Sequence, residues 1–101
     1  MILLGIDIGS SSVKVNLFDG EKGKSLASAA YPPREMEIIS SHNDWAEQDP
    51  DVWLDNLFRA LENIKSKAGS QFSEIGSIGI TYQMHGLVAI DKNGELILNA
   101  I

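Results

Sequence analysis

The chain has 101 residues, 44% of them apolar and 22% charged, and carries 14 acidic against 8 basic side chains for a net charge of −6. That length holds one modest domain or part of a larger one, in a composition ordinary for a globular chain. The acidic balance and scattered basic residues argue against a nucleic-acid partner. The absence of cysteine removes any disulfide framework or thiolate metal site, which agrees with the cytoplasm. The apolar start lacks a basic leader, and no stretch approaches transmembrane length, so no membrane is expected.

Residues 2–17 read as strand, tight turn, strand. On the way out of the turn, Val13, Val15 and Leu17 alternate with Lys14, Asn16 and Phe18, so the first three share one face. Asp7 interrupts the first apolar run just before its end, where a carboxylate needs water, a cation or hydrogen bonds. Gly9 permits backbone conformations closed to other residues, and Ser10, Ser11 and Ser12 add N–H and hydroxyl donors. An acid beside such a turn suits a metal–nucleotide phosphate, the cation lying between two negative groups. The same residues also suit a polar hairpin turn with a capping Asp. Two other glycine motifs fail: a P-loop ending at Gly23, Lys24 and Ser25 needs a glycine where Phe18 stands, and no third glycine after Gly5 and Gly9 opens a helix.

A turn over 19–24 leads to a third strand over 25–31, closed by Pro32 and Pro33, so three strands form an antiparallel meander. Residues 34–39 continue extended, and 40–44 form a polar loop in which His42 is solvated. The spacing then predicts a helix, with Asp49 as N-cap, Pro50 at the first position and Lys65 and Lys67 in the last turn. Leu54, Leu57, Phe58, Leu61, Ile64 and Ala68 form its apolar stripe, and Gly69 is a left-handed cap candidate. Trp45 either staples the helix entry or lines a cleft.

After a polar linker, 75–82 carries a buried-strand signal, expected parallel to the first strand through a helical crossover. Strands over 87–90 and 95–101 follow, joined by a hairpin turn over 91–94. Between them, Gln83, Met84, His85 and Gly86 gather an amide, a thioether and an imidazole at a strand end, where open sheets collect ligands. A β-turn whose His holds a backbone carbonyl is the other reading of these four.

Three blocks together resemble the amino-terminal part of the FGGY carbohydrate kinases of the actin-like ATPase superfamily, and most closely the xylulokinases. They are Gly-Ile-Asp-Ile-Gly-Ser-Ser-Ser-Val-Lys-Val over 5–15, Trp-Ala-Glu-Gln-Asp-Pro over 45–50 and Gln-Met-His-Gly over 83–86. The first is shared widely in the superfamily, whereas the other two are more specific to xylulokinase-like members. The resemblance implies an α/β, ribonuclease H-like fold: a mixed sheet with a β-meander, one helical crossover and further strands. It implies ATP with Mg²⁺ as cofactors and γ-phosphoryl transfer to a ketose such as D-xylulose.

By position, Asp7 would be the acid on the metal and γ-phosphate side, acting on Mg²⁺ indirectly. Gly9, Ser10, Ser11, Ser12 and Lys14 would face the phosphates, and Gln83, Met84 and His85 the sugar. Ser10 stands where Thr is usual, and Tyr82 where many members have a small residue, which bears on the choice of sugar. The family's general base and adenosine-binding residues have no counterpart in 1–101. The chain is therefore expected to be an incomplete N-terminal domain, inactive alone, from a cytoplasmic kinase that forms a homodimer. Another sugar of the same family, or a non-catalytic actin-like nucleotide-binding module, is the alternative. A two-metal nuclease of ribonuclease H type would need more carboxylates and a basic track.

Overall fold

The computed structural model describes residues 1–34, 36–41, 46–82 and 86–100. Strands β1 (Ile2–Ile8), β2 (Val13–Asp19) and β3 (Lys24–Tyr31) form the expected meander. Helix α1 (Pro50–Ala68) and a 3₁₀ helix (Gly69–Glu74) carry the chain over to β4 (Ile75–Tyr82), which pairs parallel to β1. The sheet order is β3-β2-β1-β4, so the acid-bearing strand lies inside the sheet.

The registers explain why one face is dry. Leu4 pairs with Leu17, Ile6 with Val15 and Ile8 with Val13, so the apolar half of each alternation falls on the side covered by α1. Val13 and Leu17 are fully buried, as are Ala60 and Ile64 of the helix. This cluster holds the meander and the helix together, with Leu26, Ala29, Tyr31, Leu57 and Leu61 around it. The opposite face carries Gly5, Asp7, Lys14 and Asn16, which are paired with one another across β1 and β2.

Helix α1 begins as its caps dictate: the Asp49 carboxylate accepts from the Asp51 N–H at 2.9 Å, and Pro50 follows. Its apolar stripe is narrower than the spacing predicts. Leu54 and Phe58 are exposed, while Asn56, Ala60 and Ile64 are buried, because the helix rests on β2 and β3 along the row through Trp53, Asn56, Ala60 and Ile64. At about 100° per residue, Leu54 and Phe58 turn away from that row. Gly69 takes a positive φ of 60°, but its ψ of −127° lies outside the left-handed helical region; the chain passes directly into the 3₁₀ helix, where a plain linker was expected.

Two further expectations change. Strand β4 is not buried: Ile78, Ile80 and Tyr82 share the face of Leu4, Ile6 and Ile8 but are exposed, since β4 is an edge strand and α1 packs on the β2–β3 half of the sheet. The segments 87–90 and 95–100 form no extended strands among the described residues. They meet at one antiparallel bridge, Ile90 with Leu96, around the predicted turn, in which the Asp91 carboxylate accepts from the Asn93 and Glu95 N–H groups and Gly94 has a φ of 82°. Their apolar residues are mostly exposed, so no packing extends the pairing. The continuation over 34–39 does pair, Ile39 with Glu47.

Candidate functional site

Asp7 sits near the end of β1 with its side chain on the polar face. Its partner across β1 and β2 is Lys14, and across β1 and β4 it is Thr81. The Thr81 hydroxyl donates to Asp7 Oδ1 at 3.0 Å, which fixes the carboxylate from the β4 side. These three residues line an open depression of about 840 Å³ with Gly5, Asn16 and Gly79, where missing side chains leave the sheet backbone accessible. An exposed carboxylate held by a hydroxyl donor retains free lone pairs for water or a hydrated cation.

The turn over 9–12 is held from both within and without. The Gly9 N–H donates to the Ser12 carbonyl at 3.1 Å, so Gly9 shapes the turn, and its N–H is already engaged. Glycine is favoured there by proximity, not by an unusual dihedral: a Cβ would lie 3.1 Å from the Ser12 carbonyl oxygen, a tight contact that would push the turn by a few tenths of an ångström. From outside, the Gln48 side-chain amide donates to the Ser10 carbonyl at 2.7 Å, and the Met36 N–H donates to the Ser11 carbonyl at 2.9 Å. Gln48 is 8% exposed, and its own amide oxygen accepts from Trp53 Nε1 at 2.9 Å. Its backbone exchanges two hydrogen bonds with Ala100, at 3.0 and 2.8 Å.

The three sequence blocks therefore converge. Ser10 from the first, Ala46, Glu47 and Gln48 from the second and Gly86 from the third line one cavity of about 110 Å³ with Trp53 and Ala100. Glu47, distant from the third block in sequence, is buried beside it in space; its carboxylate accepts from the Ser41 N–H and hydroxyl. Gln83, Met84 and His85 lie outside the described residues, as do His42 and Trp45; Tyr82 and Gly86 bracket the first three. Asp7, Gly9, Ser10, Ser11, Ser12 and Lys14 are brought together on β1, β2 and their turn. The sequence marks Gln48 only as a member of the second block and assigns no role to Trp53 or Thr81. Thr81 had a faint signal, as a polar side chain in an apolar run.

For Mg²⁺ the donor set is sparse: no group of three or more His, Asp or Glu side chains forms a metal cage among the described residues. One carboxylate fits a hydrated Mg²⁺ that takes its other ligands from water and substrate phosphates. Asp7 would hold it through water, and the ion would supply neutralisation of phosphate charge.

A central strand ending in an acid, a hydroxyl-rich turn into an antiparallel neighbour and a parallel fourth strand are the arrangement of the actin-like ATPase fold. The chain belongs to the FGGY family of carbohydrate kinases: residues 2–101 match the family's N-terminal domain. It is 35% identical to a xylulose kinase of Bacillus subtilis over 98% of this chain and 19% of that protein. It is also 35% identical to a glycerol kinase of Sinorhizobium fredii, over 98% of this chain and 19% of that one. Among solved structures, that of a xyloylose kinase from Brucella ovis superposes on all of this chain and 20% of its own length, with a TM-score of 0.90 and 31% identity. The chain thus spans about a fifth of these relatives.

Proposed function

We propose that the complete protein transfers the γ-phosphoryl group of ATP to a ketose, with D-xylulose the first candidate, and that Mg²⁺ accompanies the nucleotide. The observation that carries this reading is the convergence of the three blocks around Ser10, Glu47, Gln48 and Gly86. This convergence supports assigning the 9–12 turn to the phosphates and Gln83, Met84 and His85, which precede Gly86 in the chain, to the sugar. Asp7 holds the cation side, and the 9–12 turn with Lys14 faces the phosphates. In phosphoryl transfer such positioning and charge stabilisation supply most of the rate. Residues 1–101 span about a fifth of the relatives' length, and are taken as one part of the catalytic unit, inactive alone. No helix among the described residues is long and apolar enough to cross a membrane. A cytoplasmic homodimer completes the proposal.

The likeness to both a xylulose and a glycerol kinase makes the sugar the finer question. ADP release by the complete protein, followed with D-xylulose, D-ribulose, glycerol and gluconate, tests it. A kcat/KM for D-xylulose at least tenfold above the others supports the assignment. Preference for another acceptor overturns the sugar, and ADP release with none of them overturns the kinase.

A further inference from the structure

We propose that Gln48, held by Trp53, is a positioning residue for the nucleotide phosphates, acting through the Ser10–Ser11 peptide. The inference rests on the phosphate-facing assignment of the 9–12 turn and names what aims its donors. A trans peptide is planar, with its C=O and N–H pointing in opposite directions. The 2.7 Å bond from Gln48 Nε2 to the Ser10 carbonyl therefore also fixes the Ser11 N–H, directed away from the 47–49 segment. The Met36 N–H on the Ser11 carbonyl does the same for the Ser12 N–H. Two successive N–H groups are thus oriented by contacts to the carbonyls that precede them. Successive oriented N–H groups in a turn make an anion-binding concavity.

The brace is itself held. Gln48 is buried, its backbone is clamped to Ala100 on both its N–H and C=O, and Trp53 Nε1 donates to its amide oxygen. The Trp53 bond assigns the amide's two ends, oxygen toward the indole and NH₂ toward Ser10. Trp53 lies one turn into α1, which is anchored on β2 and β3 through Ala60 and Ile64. The turn is therefore referenced to the helix, and a misplacement of even about 1 Å at such a site costs about 100-fold in rate.

The test uses the complete protein and the variants Gln48→Met, Trp53→Phe and their combination. Three quantities are read: affinity for the Mg²⁺ complex of a β,γ-imido ATP analogue by calorimetry, kcat with both KM values, and melting temperature. Gln48→Met keeps the length and loses both amide contacts. It is expected to lose about 10- to 100-fold in kcat/KM for ATP, with weaker analogue binding and a sugar KM within about twofold of wild type. Trp53→Phe is expected to move the same quantities less, and to add nothing in the Gln48→Met background, because it acts through Gln48. Analogue affinity and kcat within about twofold of wild type in Gln48→Met overturn the proposal, as does a lowered melting temperature with unchanged analogue binding by the folded protein. A wild-type protein that binds the analogue but releases ADP with none of the four acceptors overturns the kinase reading alone, and the calorimetric comparison still decides the role of Gln48.

Discussion

Replacing Asp7 with Asn removes one negative charge and almost nothing else. The side-chain volume is kept, and an Asn oxygen still accepts from the Thr81 hydroxyl, now 3.0 Å from Asp7 Oδ1. Asp7 is exposed and contributes no buried surface to the sheet. Stability should therefore change by no more than about 0.5 kcal/mol, a shift of roughly 1–2 °C in melting temperature for a large domain. The effect on transfer is of another size. A carboxylate about 4 Å from one unit of positive charge is worth about 1 kcal/mol in water and about 4 kcal/mol at an effective dielectric near 20. Those limits correspond to about 5-fold and about 800-fold in rate, and exclusion of water around bound nucleotide favours the upper part of that range. The assay is ADP release by the complete protein across a Mg²⁺ titration, with melting temperature measured on the same preparation. We expect a large loss of turnover, a higher Mg²⁺ requirement and an unchanged sugar KM. Turnover kept within about twofold, together with a melting temperature several degrees lower, would refute the reasoning and make Asp7 a strand-end cap.

Three other outcomes are expected. Ile64→Ala should lower stability by about 2–5 kcal/mol in urea unfolding, because Ile64 is fully buried between the helix and the meander and its removal leaves a cavity. The Lys22 N–H, and then that of Glu21, bonds to the Asp19 carboxylate and holds its pKa below the usual carboxylate range, although burial opposes this. A depressed pKa means that the unfolded chain takes up the proton first, so this contribution is present above the ordinary Asp pKa and fades as pH falls through the folded value. Asp19→Asn should accordingly flatten the acid limb of melting temperature against pH, and an unchanged limb would count against the turn contact. His85→Ala in the complete protein should weaken sugar binding by about 2- to 12-fold, the value of one neutral hydrogen bond, with nucleotide affinity unchanged in calorimetry.

Much of the fold was legible because short-range rules governed it. The alternation of Val13, Val15 and Leu17 specified which face of β2 is dry, and the neighbouring strand had to match it. Asp49 and Pro50 marked the helix start to the residue. The misreadings arose where long-range packing overrode local pattern. Leu54 and Phe58 repeat at helical spacing, yet the sheet beneath α1 selected the row through Ala60 and Ile64. The run over 75–82 is apolar enough for a central strand, but its place in the sheet order left it at an edge.

By itself, the sequence determined the meander, the helix and its N-cap, the crossover to a parallel strand and the three blocks that mark the family. Each follows from side-chain periodicity, backbone restriction at Pro and Gly, or residue identity, all of which are local. Only the tertiary structure decided how the blocks meet. The Thr81 hydroxyl reaches Asp7 across 74 residues and the Gln48 amide reaches Ser10 across 38, and no local pattern encodes either distance. Both contacts exist because β4 docks beside β1 and because α1 and the segment before it are carried over the sheet by burial of Ala60 and Ile64. Hydrophobic packing is non-directional, but the registers and hydrogen bonds it brings within reach are specific, and these place the polar groups of the site.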